Sequence, residues 1–277
     1  MASVASTTAY STNSNIAMAA PRGHDYLRQH RAHDVRGLLS GWRKAVKGTP
    51  FRVTTVGKKD SFPLIQVSNG KPSDQQGFYV STGIHGDEPA PLWGLLEWFL
   101  QGGYKPLGDR PILLFPCLNP LGITENRRFD GDGRDLNRIF DQVKVSPIRE
   151  VRAAVHSMHF HIAICLHEDY DAQGAYLYDL NRAGSDAVGR SLLEKATSKR
   201  IPIDERKRID GREAKHGVLY RQRLDLRNIP GLPEAVFLFT DRLADRTLTF
   251  ETPSEFCLTD RITAHKRFLT AAARICG

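Results

Sequence analysis

The loop Gly83-Ile84-His85-Gly86-Asp87-Glu88-Pro89 sets an imidazole and a carboxylate three residues apart. On a tight turn both can face one cation. Zinc accepts such a mixed nitrogen–oxygen shell, and a catalytic zinc keeps three protein ligands and one open position for water. His167 is the best third ligand, because it follows the apolar run Ile162-Ala163-Ile164-Cys165-Leu166 and a strand end holds a ligand rigidly. An isolated His-x-x-Glu pair is a weak signal, equally at home on a surface loop. His24, His30, His33, His156, His159, His161, His216 and His265 have no comparable partner and read as structural.

A second group of residues points to anion binding. After Asn119-Pro120-Leu121-Gly122, read as a turn, comes Glu125-Asn126-Arg127-Arg128-Phe129-Asp130-Gly131-Asp132-Gly133-Arg134-Asp135-Leu136-Asn137-Arg138. So much Gly, Asp and Arg predicts a loop of tight turns. Arg128 and Arg138 can each grip a carboxylate through two parallel N–H bonds, and Asn137 can donate to the same anion. Arg128 can instead hold the oxyanion that develops during attack on a carbonyl. A surface loop of self-neutralising Arg–Asp pairs fits the same residues.

The elements that must position these groups alternate. Helices are predicted over Asp25–Val46, Pro91–Leu100, Pro147–Met158, Ala187–Ala196 and Asp260–Ile275 from apolar spacing and proline starts. Strands are predicted over Phe51–Val56, Leu64–Ser68, Phe78–Ser81, Pro111–Pro116, His161–Leu166, Ala175–Leu180, Ala235–Phe239 and Thr247–Phe250. The alternation favours a single α/β domain with a central mixed, largely parallel sheet flanked by helices. Ligands of such sheets bind beyond the carboxyl ends of the strands, and His85, Asn119, His167 and Glu251 all fall there.

The order HGDE, NPLG, RFDGDGRDLNR, LHED and FETPS resembles the zinc carboxypeptidase family, peptidase family M14, in its short bacterial branch of murein-peptide amidases and aspartoacylase-type deacylases. The resemblance runs over about residues 50 to 275. It implies a single zinc ion held by His85, Glu88 and His167. It further implies that Arg128 stabilises the oxyanion, that Asn137 and Arg138 bind the substrate's terminal carboxylate, and that Glu251 is the general base. Asp135 would support a ligating histidine from behind. Two departures stand out. Asp130 lies where many relatives carry Asn, and the family's mobile tyrosine upstream of the general base has no match: Tyr220 does not stand at a convincing distance, and Tyr176 and Tyr178 read as sheet residues. The acidic neighbours Asp87, Glu168 and Asp169 read as supporting or solvated groups.

The expected activity is that of a metallocarboxypeptidase acting on short peptides, murein peptides included. The alternative is a deacylase of the aspartoacylase and succinylglutamate desuccinylase type acting on N-acyl amino acids, and a non-catalytic zinc or peptide-binding module is a third reading. A wall built from the segment Asp204–Arg227 would favour small acyl substrates, and an open groove peptides. The rest of the composition narrows the field. The chain has 277 residues, 40% hydrophobic and 25% charged, with a formal net charge of +8, as in an ordinary globular protein. No run approaches the roughly 18 apolar residues of a membrane span. Residues 1–22, rich in Ser, Thr, Ala and Asn, read as a disordered tail without a secretory or mitochondrial signal, leaving 23–277 as the catalytic domain. Cys117, Cys165, Cys257 and Cys276 are far apart, giving neither a disulfide framework nor a thiolate metal site, so a reducing, cytoplasmic setting is expected. The basic cluster Lys199, Arg200, Arg206, Lys207 and Arg208 lacks the interleaved aromatics of a stacking surface, so no nucleic-acid partner is expected.

Overall fold

Eight strands form one sheet: β1 Arg52–Lys59, β2 Phe62–Ser68, β3 Gly77–Thr82, β4 Ile112–Phe115, β5 Phe160–Asp169, β6 Tyr176–Asn181, β9 Val218–Arg221 and β10 Ala244–Pro253. A separate two-stranded hairpin pairs β7 Arg208–Ile209 with β8 Arg212–Glu213. These assignments come from a computed structural model that describes residues 32–71 and 76–277, with 32–277 forming one compact unit. The reading of residues 1–22 as a tail, the first turns of the helix predicted from Asp25, and His24 and His30 lie outside the described residues.

The sheet order is β1-β2-β4-β3-β5-β10-β6-β9. The four middle strands, β4, β3, β5 and β10, run parallel, and antiparallel pairings flank them at β2–β4 and β10–β6. Strand periodicity divides the side chains between two layers. Phe78 and Phe250 point to one face, where Phe78 stacks on Trp98 of α2 (Ala90–Leu100) and Phe250 stacks at 4.3 Å on Phe268 of α7 (Leu258–Cys276). Tyr79, Ala163 and Cys165 point to the other. There they share a buried apolar cluster with α4 (Ile148–Val155) and α6 (Glu234–Thr240). Truncating one such aromatic, Phe268→Ala for example, removes a large buried side chain and costs about 3–5 kcal/mol.

The predicted elements over Pro91–Leu100, Pro147–Met158, Ala187–Ala196 and Asp260–Ile275 are helices within a few residues of their expected ends, with Ala187–Ala196 becoming α5. The first helix, α1, is Val35–Ala45, and Asp34 starts it by accepting the Gly37 N–H at 2.9 Å. Two expectations are corrected. Ala235–Phe239, expected as a strand, is the core of helix α6. The run is buried on all sides, so its sequence shows no period, and short apolar runs of this kind do not separate helix from strand. The stretch after Asn119, expected as a turn, continues as helix α3, Pro120–Glu125, with Asn119 accepting the Gly122 N–H as N-cap. Three short strands, β7, β8 and β9, carry too few residues to show a pattern.

Candidate active site

The strand-to-helix turn between β3 and α2 carries His85 and Glu88. Its shape requires glycine twice. Gly83 holds φ +64°, and a Cβ on Gly86 would lie within 2.3 Å of the backbone of Gly122 and Arg127. The turn is pressed onto the start of α3, which fixes where His85 points. Nδ1 of His85 lies 2.6 Å from Glu88 Oε1, and Nδ1 of His167 lies 2.9 Å from Glu88 Oε2. All three side chains are buried, and their donor atoms fall within 4.8 Å of one another, a spacing that one cation can bridge. Two imidazoles and a carboxylate are a donor set that suits zinc.

The outer nitrogen of His85, Nε2, faces Asp135 Oδ1 at 3.2 Å. Asp135 is a hub. The same Oδ1 accepts the Asn137 N–H at 3.0 Å, while Oδ2 accepts Nε and Nη2 of Arg128 at 3.0 and 2.9 Å. Burial pushes the Asp135 carboxyl up, but His85 and Arg128 outweigh it and hold the group well below the usual carboxylate range. Glu88 behaves alike: burial raises it, and the two histidines bring it far down. Arg128 therefore spends one edge of its guanidinium on Asp135 and turns Nη1 toward the ligands, 3.9 Å from Glu88 Oε1.

Glu251 enters from β10. It is the Cα partner of His167 on β5 and of Tyr176 on β6, so all three project from the same face of the sheet. The carboxylate is buried, and its Oε2 accepts no hydrogen bond among the described residues. Burial pushes its pKa up to about 8, with His167 opposing and the charges of Glu88, Asp169 and Asp210 adding to the rise.

A cleft of about 570 Å³ opens over these residues, and Asn137, Arg138 and Arg128 line it together with His85, Glu88, His167 and Glu251. All eight residues singled out in the sequence thus converge, seven on the cleft and Asp135 behind His85. The acidic neighbours divide. Asp87 is exposed. Glu168 points to the opposite face, where it accepts the Ala90 N–H at 2.9 Å and pairs with Arg261. Asp169 lines the cleft and accepts the Tyr176 hydroxyl. Asp130 is a turn-former: fully buried, it accepts the N–H groups of Asp132 and Arg134 and pairs with Lys59 at 3.0 Å. Among the tyrosines considered, Tyr176 and Tyr178 line the cleft, and Tyr220 does not. In the basic cluster, Arg206 is tied to Asp204, and Lys199 and Arg200 are exposed.

Residues 208–230 build one wall. Asp210 at the hairpin tip accepts the Tyr178 hydroxyl, and Arg212, Arg221, Leu224 and Ile229 line the same side. Only the segment, not these residues, could be read from the sequence. Glu234 also escaped sequence reasoning. Its signal, Pro233 ahead of an acidic first turn, was the helix start hidden by the strand assignment.

Residues 74–184 match the model of the succinylglutamate desuccinylase/aspartoacylase catalytic domain. Within a 77-residue stretch the chain is 35% identical to a succinylglutamate desuccinylase of Vibrio cholerae serotype O1 (strain M66-2), covering 27% of this chain but only 21% of that protein. In fold, the chain is similar to a structure described as a candidate metallopeptidase from Shewanella baltica OS155, with a TM-score of 0.76 and 18% identity over 89% of this chain and 94% of that one. It is similar also to a metallo-carboxypeptidase from Burkholderia cenocepacia, with a TM-score of 0.63 and 14% identity over 84% of this chain and 66% of that one. The fold is that of the metallocarboxypeptidases, while in sequence the resemblance is to the succinylglutamate desuccinylase/aspartoacylase catalytic domain over residues 74–184.

Proposed function

We propose that the chain is a zinc-dependent hydrolase that cuts an amide bond next to a free carboxylate. The observation that carries this reading is the convergence on one cleft of a His-Glu-His donor set, a buried carboxylate beside it in strand register, and an Asn-Arg pair. Zinc held by His85, Glu88 and His167 would supply a Lewis acid that polarises the carbonyl and acidifies water.

The protein's own groups supply the rest. Glu251 takes a proton from the attacking water, whose oxygen bonds to the carbonyl carbon. When the carbon–nitrogen bond breaks, Glu251 returns that proton to the leaving amine. Arg128, with Nη1 turned inward, donates to the oxygen that gains charge. Asp135 holds His85 in one tautomer and one orientation. Arg138 and Asn137 grip the substrate carboxylate, so the scissile bond meets Glu251 without a search.

The leading substrate class is short peptides cut at their carboxyl end, murein peptides among them. A second reading, release of an amino acid from an N-acyl amino acid, is favoured by the wall at residues 208–230 and by the family model that matches 74–184. Arg212 and Arg221 on that wall form no ion pair among the described residues and suit a substrate with a second anionic group. The test is mass-spectrometric product analysis of the zinc-loaded protein on a library of short peptides, murein peptides and N-acyl amino acids, with Glu251→Gln as control. Loss of single carboxyl-terminal residues supports the carboxypeptidase. Cleavage confined to N-acyl amino acids moves the assignment to the deacylases. Zinc binding with no cleavage of any member refutes both and leaves a binding module.

A further inference from the structure

Glu234 takes no part in the chemistry above, yet it is fully buried and touches both halves of the site. It is the first residue of α6. Its backbone N–H is one of the donors that a helix start leaves without an intrahelical partner. That N–H is taken by Asn137 Oδ1 at 2.9 Å, a residue 97 positions earlier. Asn137 is thus a cap supplied from outside the helix. With Oδ1 committed, the Asn137 amide cannot flip without facing one N–H with another, so its NH₂ is left for the cleft.

The side chain of Glu234 runs the other way, onto the sheet. One carboxylate oxygen accepts the Tyr79 hydroxyl and the other accepts Ser81 Oγ at 2.9 Å. Both donors sit on β3, whose end leads into the turn that carries His85 and Glu88. The approach to α6 is stitched to the same anion-binding turn by backbone bonds, Leu232 N–H to Arg138 O at 2.8 Å and Phe140 N–H to Leu232 O at 3.0 Å. One buried residue therefore joins the strand that feeds the metal-ligating turn to the side chain that meets the substrate carboxylate.

We infer that Glu234 is a positioning residue: it orients the Asn137 amide toward the substrate carboxylate and sets the distance between that anchor and the metal ligands. This rests on the reading of Asn137 and Arg138 as the carboxylate-binding pair. A carboxylate with two hydroxyl donors tolerates its amide isostere, because Gln can still accept from one hydroxyl and donate to the other. Alanine keeps the backbone N–H but loses the tie to β3, so the cap drifts.

The test is a double-mutant cycle on the zinc-loaded enzyme, with kcat, KM, zinc content and the preference for a free carboxylate over its carboxamide. Glu234→Ala is expected to raise KM about tenfold, to leave kcat within about threefold, and to erode the carboxylate preference while one zinc stays bound. Glu234→Gln is expected to restore KM to near the parent value. Glu234→Ala combined with Asn137→Ala is expected to be no worse than Asn137→Ala alone, since the two act through one contact. Ser81→Ala, which removes one donor and leaves α6 untouched, is expected to shift KM the same way by about threefold, and it replaces Glu234→Ala if that variant does not fold. Multiplicative effects of the Glu234 and Asn137 variants, or loss of kcat with KM and preference unchanged, overturn the inference alone. An Asn137→Ala enzyme with parental KM overturns it together with the assignment of the carboxylate-binding pair.

Discussion

His265 should make the protein acid-labile in a way that one substitution removes. The imidazole is fully buried between α7 and the sheet, its Cβ against Gly94 of α2 and its ring edge-on to Phe250. Nε2 meets Thr252 Oγ1 at 3.0 Å, and Nδ1 has no partner among the described residues. Burial, followed by the nearby Arg261 charge, pushes its pKa from 6.5 down to about 3. The sign follows directly. The folded state holds this ring neutral, while the unfolded chain binds a proton below about pH 6.5. The unfolded state therefore takes up more protons, and stability falls as pH drops. The contribution is complete above pH 6.5, falls by about 1.4 kcal/mol per pH unit, and reaches about 2 kcal/mol lost at pH 5. Further loss stops near pH 3, where the folded ring also protonates. Urea unfolding at pH 7.5 and pH 5 should show this loss in the parent protein. His265→Gln cannot titrate, so its stability should change about 2 kcal/mol less over the same interval, whatever its stability at pH 7.5. The difference between the two proteins cancels the carboxylates they share. Equal pH dependence in both would refute the reasoning.

Two further perturbations separate roles within the site. Glu251→Gln keeps the shape of the base but cannot take a proton; kcat should drop by about 10²–10⁴-fold while zinc content, read by atomic absorption, stays at one per chain. Near-parental turnover would remove Glu251 from the mechanism. Asp135→Asn weakens the support of His85 and frees the edge of Arg128 that Asp135 occupies; zinc affinity in a competitive chelator titration should fall about 10–100-fold, and unchanged affinity would reduce Asp135 to an Arg128 holder.

The His-Glu-His cluster was legible in the sequence because its residue types are scarce in combination and its motifs stand at strand ends. His85, Glu88 and His167 need no tertiary knowledge beyond the assumption that such ends share one edge of a sheet. Asn137 and Arg138 could be proposed, but not their geometry, since a Gly-Asp-Arg loop has no periodicity and its shape is set by hydrogen bonds such as those of Asp130 and Asp135. The wall at residues 208–230 was visible only as a segment. Its strands have two to four residues, too few for alternation to show, and Arg212 and Arg221 reach the cleft only through the pairing of β9 with β6 and the fold-back of the hairpin. Helix α6 was misassigned for the opposite reason. Burial on every side erases the polar face that marks a helix, and the residue that stabilises its start, Asn137, is distant in sequence.

His167 and Glu168 show how one strand serves both the chemistry and the fold. Neighbours on a strand face opposite ways: His167 reaches Glu88, while Glu168 reaches α2 and α7. There Glu168 accepts the first N–H of α2, the Thr252 hydroxyl at 3.2 Å and the Arg261 guanidinium, all in a buried setting. Removing one partner of a buried ion pair leaves the other charge uncompensated, at about 3–5 kcal/mol. Glu168→Ala should therefore lower the unfolding free energy by that much, seen as a lower urea midpoint at an unchanged slope, while the surviving folded protein binds zinc and keeps kcat within a few-fold. His167→Ala should do the reverse, with unfolding of the metal-free protein little altered and zinc affinity lost. If Glu168→Ala released zinc without a loss of stability, Glu168 would be acting on the metal ligands rather than on the helices, and the division of labour along β5 would be wrong.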